Sequence, residues 1–523
     1  METKLASIDK MKADQGFDVV IVCTSDEHQA AFWIGRLESV KGVAVPSSST
    51  VLAVDEDWPG GAGNFFGTLY AWRKACVMLQ AKEGRDLRSE LRAGKSVAIF
   101  HTAGKGTRLA PLPGAENNNK PGVKLPVPGM ASILECVIRQ TGAYARSRPG
   151  RLSVFWGDQI FVPTASAEYT PRHHADIACA LGPMPTAEQW TEQGLDKYGL
   201  IATTGDGDVA AMLEKVTHKE ATSELDGKGV SKVGWSLGSF SLSAALVSVF
   251  EAGFATELES KVGKMDSDPH AWMPLTLDVD RYAGLMVSKG IFDDAAARAH
   301  HARITNMISS ARDGELAGPL FGAMDVGTEC SWWDYGQLRL YIRNGLLLTE
   351  ETEDAKLARR FFGIADAARV SADSSLGDCK ADAASVISAT KCTSGSVSGS
   401  VISNVATGSL SAESAVLVNV CARKISAKPG ALAYNVVDNS EEGIVLAENE
   451  VLVGVALKTE GSSKYFTMGA NWKEHDGGKV FKDKVRDNPH SYQEVYDLNK
   501  GVSVIACEAY SRELRAACME KLG

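Results

Sequence analysis

The residue types best suited to chemistry gather after the apolar run 97–100, in His101-Thr102-Ala103-Gly104-Lys105-Gly106-Thr107-Arg108-Leu109, followed by Ala110-Pro111-Leu112. A glycine-rich turn at the carboxyl end of a buried strand lets backbone N–H groups converge on an anion. Gly104 and Gly106 permit close approach, Arg108 offers a permanently charged, forked donor, and Lys105 adds a point charge. The string lacks G-x-x-x-x-G-K-[ST], so it is not a Walker loop. A second candidate is Val154-Phe155-Trp156-Gly157-Asp158, a strand that ends on a carboxylate. At the mouth of a parallel sheet, near a phosphate loop, such a carboxylate suits Mg²⁺ held by oxygen ligands and substrate phosphates.

These groups need a scaffold, and the hydrophobic pattern describes one. Residues 17–23 (FDVVIVC) form a continuous, largely β-branched run, read as a buried parallel strand, and Thr24-Ser25-Asp26-Glu27 caps a helix over 30–37. A short strand at 51–54 runs into Gly60-Gly61-Ala62-Gly63-Asn64 and a helix over about 68–80. Strands at 96–100 and 152–156 complete an alternation that implies a mostly parallel sheet covered on both faces. From about 371 to 458 the texture changes to Ser, Ala, Gly and Val. Val386-Ile387, Val401-Ile402, Val416-Leu417 and Ala431-Leu432 recur every 15 residues, with Asn404, Asn419 and Asn435 at a nearly constant offset. Short β-forming pairs at a fixed period predict a parallel β-helix of stacked coils. The tail, 461–523, contains Trp472 and a final amphipathic helix, expected to pack on the body or on a second subunit.

Taken whole, the 104–112 string resembles the loop of the sugar-1-phosphate nucleotidyltransferase (NDP-sugar pyrophosphorylase) family, G-x-G-T-R-L followed by x-P-L, whose fold is Rossmann-like. Gly104, Lys105, Gly106 and Thr107 are then expected at the nucleotide, with Arg108 at its phosphates. Asn119-Lys120-Pro121-Gly122-Val123-Lys124-Leu125-Pro126 resembles the family's lysine-then-Leu-Pro element. The family's lysine position is Gly122 here, so Lys120 and Lys124, which flank it, are both candidates for the phosphate contact. By the same resemblance Asp158 is a metal ligand, and Ser331-Trp332-Trp333-Asp334-Tyr335-Gly336 resembles the element W-x-D-x-G, which makes Asp334 the second ligand. Asp325 competes for that role. Tyr198-Gly199 and Glu214-Lys215, on either side of a turn at 205–208, resemble the sugar-binding pair. The likeness implies sugar contacts from Gly199 and Glu214 and a sugar-phosphate contact from Lys215, with Gly238-Ser239-Phe240 on the strand that follows.

One departure reorders the scheme. Only 54 residues separate Gly104 from Asp158, too few for the two strand–helix units that normally intervene and recognise the base. The units at 17–37 and 51–80 look like the missing ones moved to the front, a circular permutation. Gly63, Asn64, Gly67 and Thr68 would then surround the base. The permutation predicts that 17–23 and 51–54 lie beside 97–100 and 152–156 in one sheet. GDP-fucose pyrophosphorylases are similar in this order, whereas the Gly-Thr-Arg-Leu string is closer to UTP-, dTTP- and ATP-using relatives. The expected organisation is a circularly permuted Rossmann-like nucleotidyltransferase domain over 1–365, a parallel β-helix over 366–460 and a tail over 461–523.

The expected reaction joins a nucleoside triphosphate to a sugar 1-phosphate with Mg²⁺, preferably UTP and glucose 1-phosphate, with GTP and fucose or mannose 1-phosphate as runner-up. A non-catalytic regulatory subunit is the third reading. Acyl transfer by the β-helix is disfavoured because 373–458 contains no histidine to act as base. The net charge of −10, with no long basic run, argues against nucleic acid as a partner, and no apolar stretch is long enough for a membrane span. Ten scattered cysteines without metal-ligand spacing fit a reducing compartment, cytoplasm or plastid stroma, and the coil stack offers a surface for a homo-oligomer.

Overall fold

The computed structural model describes residues 1–12, 14–102, 104–475, 478 and 481–522, and shows a mixed α/β protein with parallel strands in both of its large sheets. The strands of the first half are β1 (Val19–Thr24), β2 (Thr50–Asp55), β3 (Val97–His101), β4 (Arg151–Trp156), β5 (Gln159–Val162), β6 (Ala175–Gly182), β7 (Gly199–Thr204), β8 (Val209–Glu214), β9 (Val230–Ser243), β10 (Phe321–Asp325) and β11 (Ser331–Asp334). Nine of them form one sheet, ordered β10-β6-β9-β4-β3-β1-β2, with β7 on β9 and β8 on β7.

β2, β1, β3 and β4 are mutually parallel, with Val20 opposite Val51 and Ala98, and Ala98 opposite Ser153. The residues of β1 are buried throughout, as a strand covered on both faces requires. One covering layer contains the helix Glu27–Ser39, capped by Asp26 Oδ1 on the Gln29 N–H; the other contains the helix Gly63–Glu83. The anticipated placement of the first four strands side by side in one sheet is therefore present. Beyond β4 the antiparallel β9 reverses direction, so the sheet is mixed.

The second sheet has ten strands: β12 (Asp378–Ala381), β13 (Val386–Ser388), β14 (Lys391–Ser398), β15 (Val401–Glu413), β16 (Val416–Ala427), β17 (Leu432–Tyr434), β18 (Val437–Asp438), β19 (Ile444–Leu446), β20 (Glu450–Thr459) and β21 (Ser462–Asn471). Pairing among β12 to β20 is parallel and follows the repeat, with Val386 opposite Val401 and Val401 opposite Val416. The next repeat gains a residue, so Leu417 faces Ala433 rather than Leu432. Asn404, Asn419 and Asn435 turn the corners with φ of 55°, 54° and 53°, a region that asparagine tolerates better than most side chains.

The tail is not a separate layer. β21 pairs antiparallel with β20, and the helix Val504–Leu522 packs on β16, β20 and the helix Glu27–Ser39. Val401, Val416, Leu432 and Tyr434 share one buried cluster with Phe100, Leu125 and Phe155, so both sheets are seated on common apolar ground. Among the described residues no helix is long and apolar enough to cross a membrane.

Candidate active site

A cleft of about 670 Å³ opens at the carboxyl ends of β1–β4, where a parallel sheet presents its strand-to-helix turns. A neighbouring hollow of about 650 Å³ shares Arg108, Trp156, Asp158 and Gln159 with it, so the two meet along that line.

Asp158 and Asp334 face this junction, and register explains why. β5 pairs antiparallel with β11, placing Asp334 opposite Gln159, and the Tyr335 N–H donates to the Asp158 carbonyl (2.9 Å). Asp158 Oδ2 and Asp334 Oδ1 both lie within 3.0 Å of the point a Cβ on Gly336 would occupy. Burial raises the Asp334 carboxyl above its ordinary pKa; the Gly336 N–H, Lys120 and Arg108 oppose that rise and Asp158 adds to it. Lys120 donates to Asp158 Oδ2 at 2.5 Å. Among the described residues no group of three His, Cys, Asp or Glu side chains could hold a metal. Two carboxylates held close together still fit Mg²⁺, which commonly completes its octahedron with phosphate oxygens and water.

Asp325 lies elsewhere: its carboxylate accepts from the Leu181 and Gly327 N–H groups and pairs with Lys232. The two candidate lysines also separate. Lys124 turns away from the cleft to Glu116 (2.7 Å), and its N–H donates to the Tyr434 hydroxyl, so it belongs to the contact with the second sheet.

Gly104 and Arg108 line the cleft; Ala103 lies outside the described residues. Gly104 and Gly106 have φ of 128° and 63°, which reserves both positions for glycine. Gly106 sits over Lys120 and Pro113, and Thr107 begins the short turn that carries Arg108; neither lines the cleft. Lys105 departs from expectation, since its ammonium lies 5.5 Å from the Tyr496 ring centre, towards the tail.

At the far end Gly63 and Asn64 line the cleft, whereas Gly67 and Thr68 stand behind it. Thr68 is fully buried and bonds to His101 Nε2 (2.8 Å), and a Cβ on Gly67 would come within 2.7 Å of Glu56 Oε2. Both therefore shape the wall rather than meet a ligand. Burial lowers the His101 pKa to about 4, so the ring is neutral at pH 7.

Glu56, Lys264 and Asp266 also line this end and carry no sequence signal. Glu56 Oε1 accepts from the Ala62 N–H (3.0 Å), while Asp266 Oδ1 accepts from the Asn64 N–H across 202 residues of chain. Burial raises the Glu56 pKa, partly offset by Lys264. Only an acidic residue directly after the second strand could have drawn attention to Glu56.

Gly199 and Glu214 are opposite each other in the β7–β8 hairpin, with Glu214 Oε2 placed 2.9 Å from where a Cβ on Gly199 would sit. Lys215 follows with φ of 56° and lies 3.2 Å from Glu214, largely exposed. None of the three lines the shared cleft directly; Tyr198, beside Gly199, lines the second hollow. Burial, and then the Glu214 charge, raise the Asp268 pKa to about 6, which sets Glu214 close to the segment that supplies Asp266. Gly238 lies flat against Trp156, whose indole nitrogen would be 2.3 Å from a Cβ there.

No protein-family model and no curated protein matches this chain. The chemistry of the site therefore rests on its geometry.

Proposed function

We propose that the chain is a nucleotidyltransferase that converts a nucleoside triphosphate and a sugar 1-phosphate to a nucleoside diphosphate sugar and pyrophosphate. The observation that carries this reading is the convergence of Asp158, Asp334, Lys120 and Arg108 where the two hollows meet. One hollow has the size for a nucleotide and the other for a sugar phosphate. On this reading the first sheet is a circularly permuted Rossmann-like domain, in keeping with the order β2-β1-β3-β4, and the second is a parallel β-helix.

A sugar-phosphate oxygen attacks the α-phosphorus and forms the new P–O bond. The bond from that phosphorus to the α–β bridging oxygen breaks in line, and its electron pair leaves with pyrophosphate. The nucleophile is already anionic at neutral pH, so no general base is required and catalysis rests on positioning and charge neutralisation. Arg108 stabilises charge on the departing pyrophosphate, and Lys120 neutralises phosphate charge beside Asp158. Glu214 and Lys215, which adjoin Tyr198 at the edge of the second hollow, orient the sugar phosphate. Asp158 and Asp334 would hold Mg²⁺, which supplies Lewis-acid neutralisation of the phosphates when bound.

The loop resemblance favours UTP and glucose 1-phosphate. Glu56 favours the second reading, GTP with fucose or mannose 1-phosphate. Its carboxylate lines the cleft and could accept from the paired N1–H and N2–H of guanine, whereas uracil offers one N–H between two carbonyls that a carboxylate repels. The test is pyrophosphate release with Mg²⁺ from UTP, GTP, ATP, CTP and dTTP against a panel of sugar 1-phosphates, with Asp158→Ala as control. Release with one pair, lost in the variant, is expected; no release from any pair overturns the reading in favour of a regulatory subunit.

A further inference from the structure

A separate cavity of about 370 Å³, sharing no lining residue with the cleft, opens where the helix Glu27–Ser39, the 115–130 segment, the corners at Asn404, Asn419 and Asn435 and the helix Val504–Leu522 meet. Its wall carries four cationic side chains, Arg36, Lys124, Arg512 and Arg515, against two carboxylates, Glu116 and Glu508. Three of the cations are paired, Arg36 with Glu135, Lys124 with Glu116 and Arg512 with Glu508.

Arg515 is different. Its Nη2 donates to Asn404 Oδ1 (3.1 Å), while its Nη1 is buried without a hydrogen-bond partner, and no carboxylate pairs with it among the described residues. A guanidinium keeps its charge even where burial lowers its pKa, as it does here, so an uncompensated cation faces the cavity. Leaving the guanidinium uncompensated is costly, and an anion seated in the cavity against it would neutralise its charge.

The floor is equally polar. Asn404 Nδ2 donates to Asn419 Oδ1 and Asn419 Nδ2 to Asn435 Oδ1, both at 2.8 Å, and Asn435 Nδ2 reaches Glu116 Oε1 at 2.9 Å. This ladder runs from the free cation to the carboxylate that holds Lys124. Neutral amides and a lone excess of positive charge recognise an oxyanion rather than an apolar ligand.

We propose that this cavity is a second binding site, distinct from the cleft, for the phosphate group of a small metabolite, with Arg515 and Arg512 as its anion-binding residues. The proposal holds whether or not the cleft transfers nucleotidyl groups.

Inorganic phosphate is the probe, titrated calorimetrically into the full chain carrying Arg108→Ala, which removes the guanidinium of the cleft. We expect that protein to bind phosphate, and Arg515→Gln added to it to weaken binding at least tenfold. Arg512→Ala, at an exposed position, is expected to weaken it several-fold and keeps the test decisive should the Arg515 variant fail to fold. Phosphate should raise the melting temperature of the Arg108→Ala protein and raise that of the double variants less. Absence of phosphate binding in the Arg108→Ala protein, or equal affinity in the Arg512→Ala double variant, overturns the proposal.

Discussion

Lys120 and Lys124 stand one short turn apart in the chain and face opposite surroundings. Lys120 reaches Asp158 in the cleft; Lys124 compensates Glu116, whose carboxylate is nearly buried and also accepts from Tyr434 and Asn435. Lys120→Met is therefore expected to reduce pyrophosphate release by about a hundredfold with little change in stability, the scale of removing one charge-stabilising donor. Lys124→Met should do the reverse, costing about 2–3 kcal/mol by leaving Glu116 unpaired, read by urea denaturation. Equal stability loss in both variants would contradict the division. His101 gives a pH signature. Burial places its pKa at about 4, below its ordinary 6.5, so the folded state resists protonation. Its contribution is fully present above pH 6.5 and is lost as pH falls towards 4, about 3 kcal/mol in all. Denaturation midpoints at pH 7 and pH 4.5 should differ less in His101→Gln than in the parent.

The repeats of the second sheet are held by position-specific contacts as well as by apolar pairs. Asn404, Asn419 and Asn435 combine a left-handed backbone with a side-chain ladder, but the preceding repeat has Ala389 at the equivalent corner, with φ of 49°. An alanine there bears strain that asparagine reduces, and Ala389→Asn would add one amide next to Asn404. A gain of about 1 kcal/mol is expected, seen as a higher melting temperature; a loss would indicate that the ladder ends at Asn404 for steric reasons. The tail also acts on an element of the site. Asn117 and Asn118, with φ of 53° and 66°, bond to Asn499 and to the Tyr496 carbonyl, and so fix the turn that leads into Lys120.

At the scale of the whole molecule the two sheets share one apolar cluster. Val416 is fully buried and packs towards Gly345 and Pro126 of the first half. Val416→Ala should cost about 2 kcal/mol and displace a single unfolding transition in calorimetry. Two resolved transitions, only one of them displaced, would show that the halves unfold independently.

Continuous apolar runs located β1 to β4 because a strand buried on both faces has little room for polar residues. The 15-residue recurrence located the parallel pairs of the second sheet because stacked repeats share the same environment, though the extra residue before Ala433 escaped notice since small residues fill either register. Arg108 and Asp158 were legible because glycine turns and strand ends mark where a sheet opens. Only the tertiary structure could choose between Lys120 and Lys124, or set Thr68 behind His101, since both depend on which way a side chain leaves its turn. Glu56, Lys264 and Asp266 were invisible for a related reason: their cleft is assembled from segments far apart in the chain, and no local spacing records such a meeting.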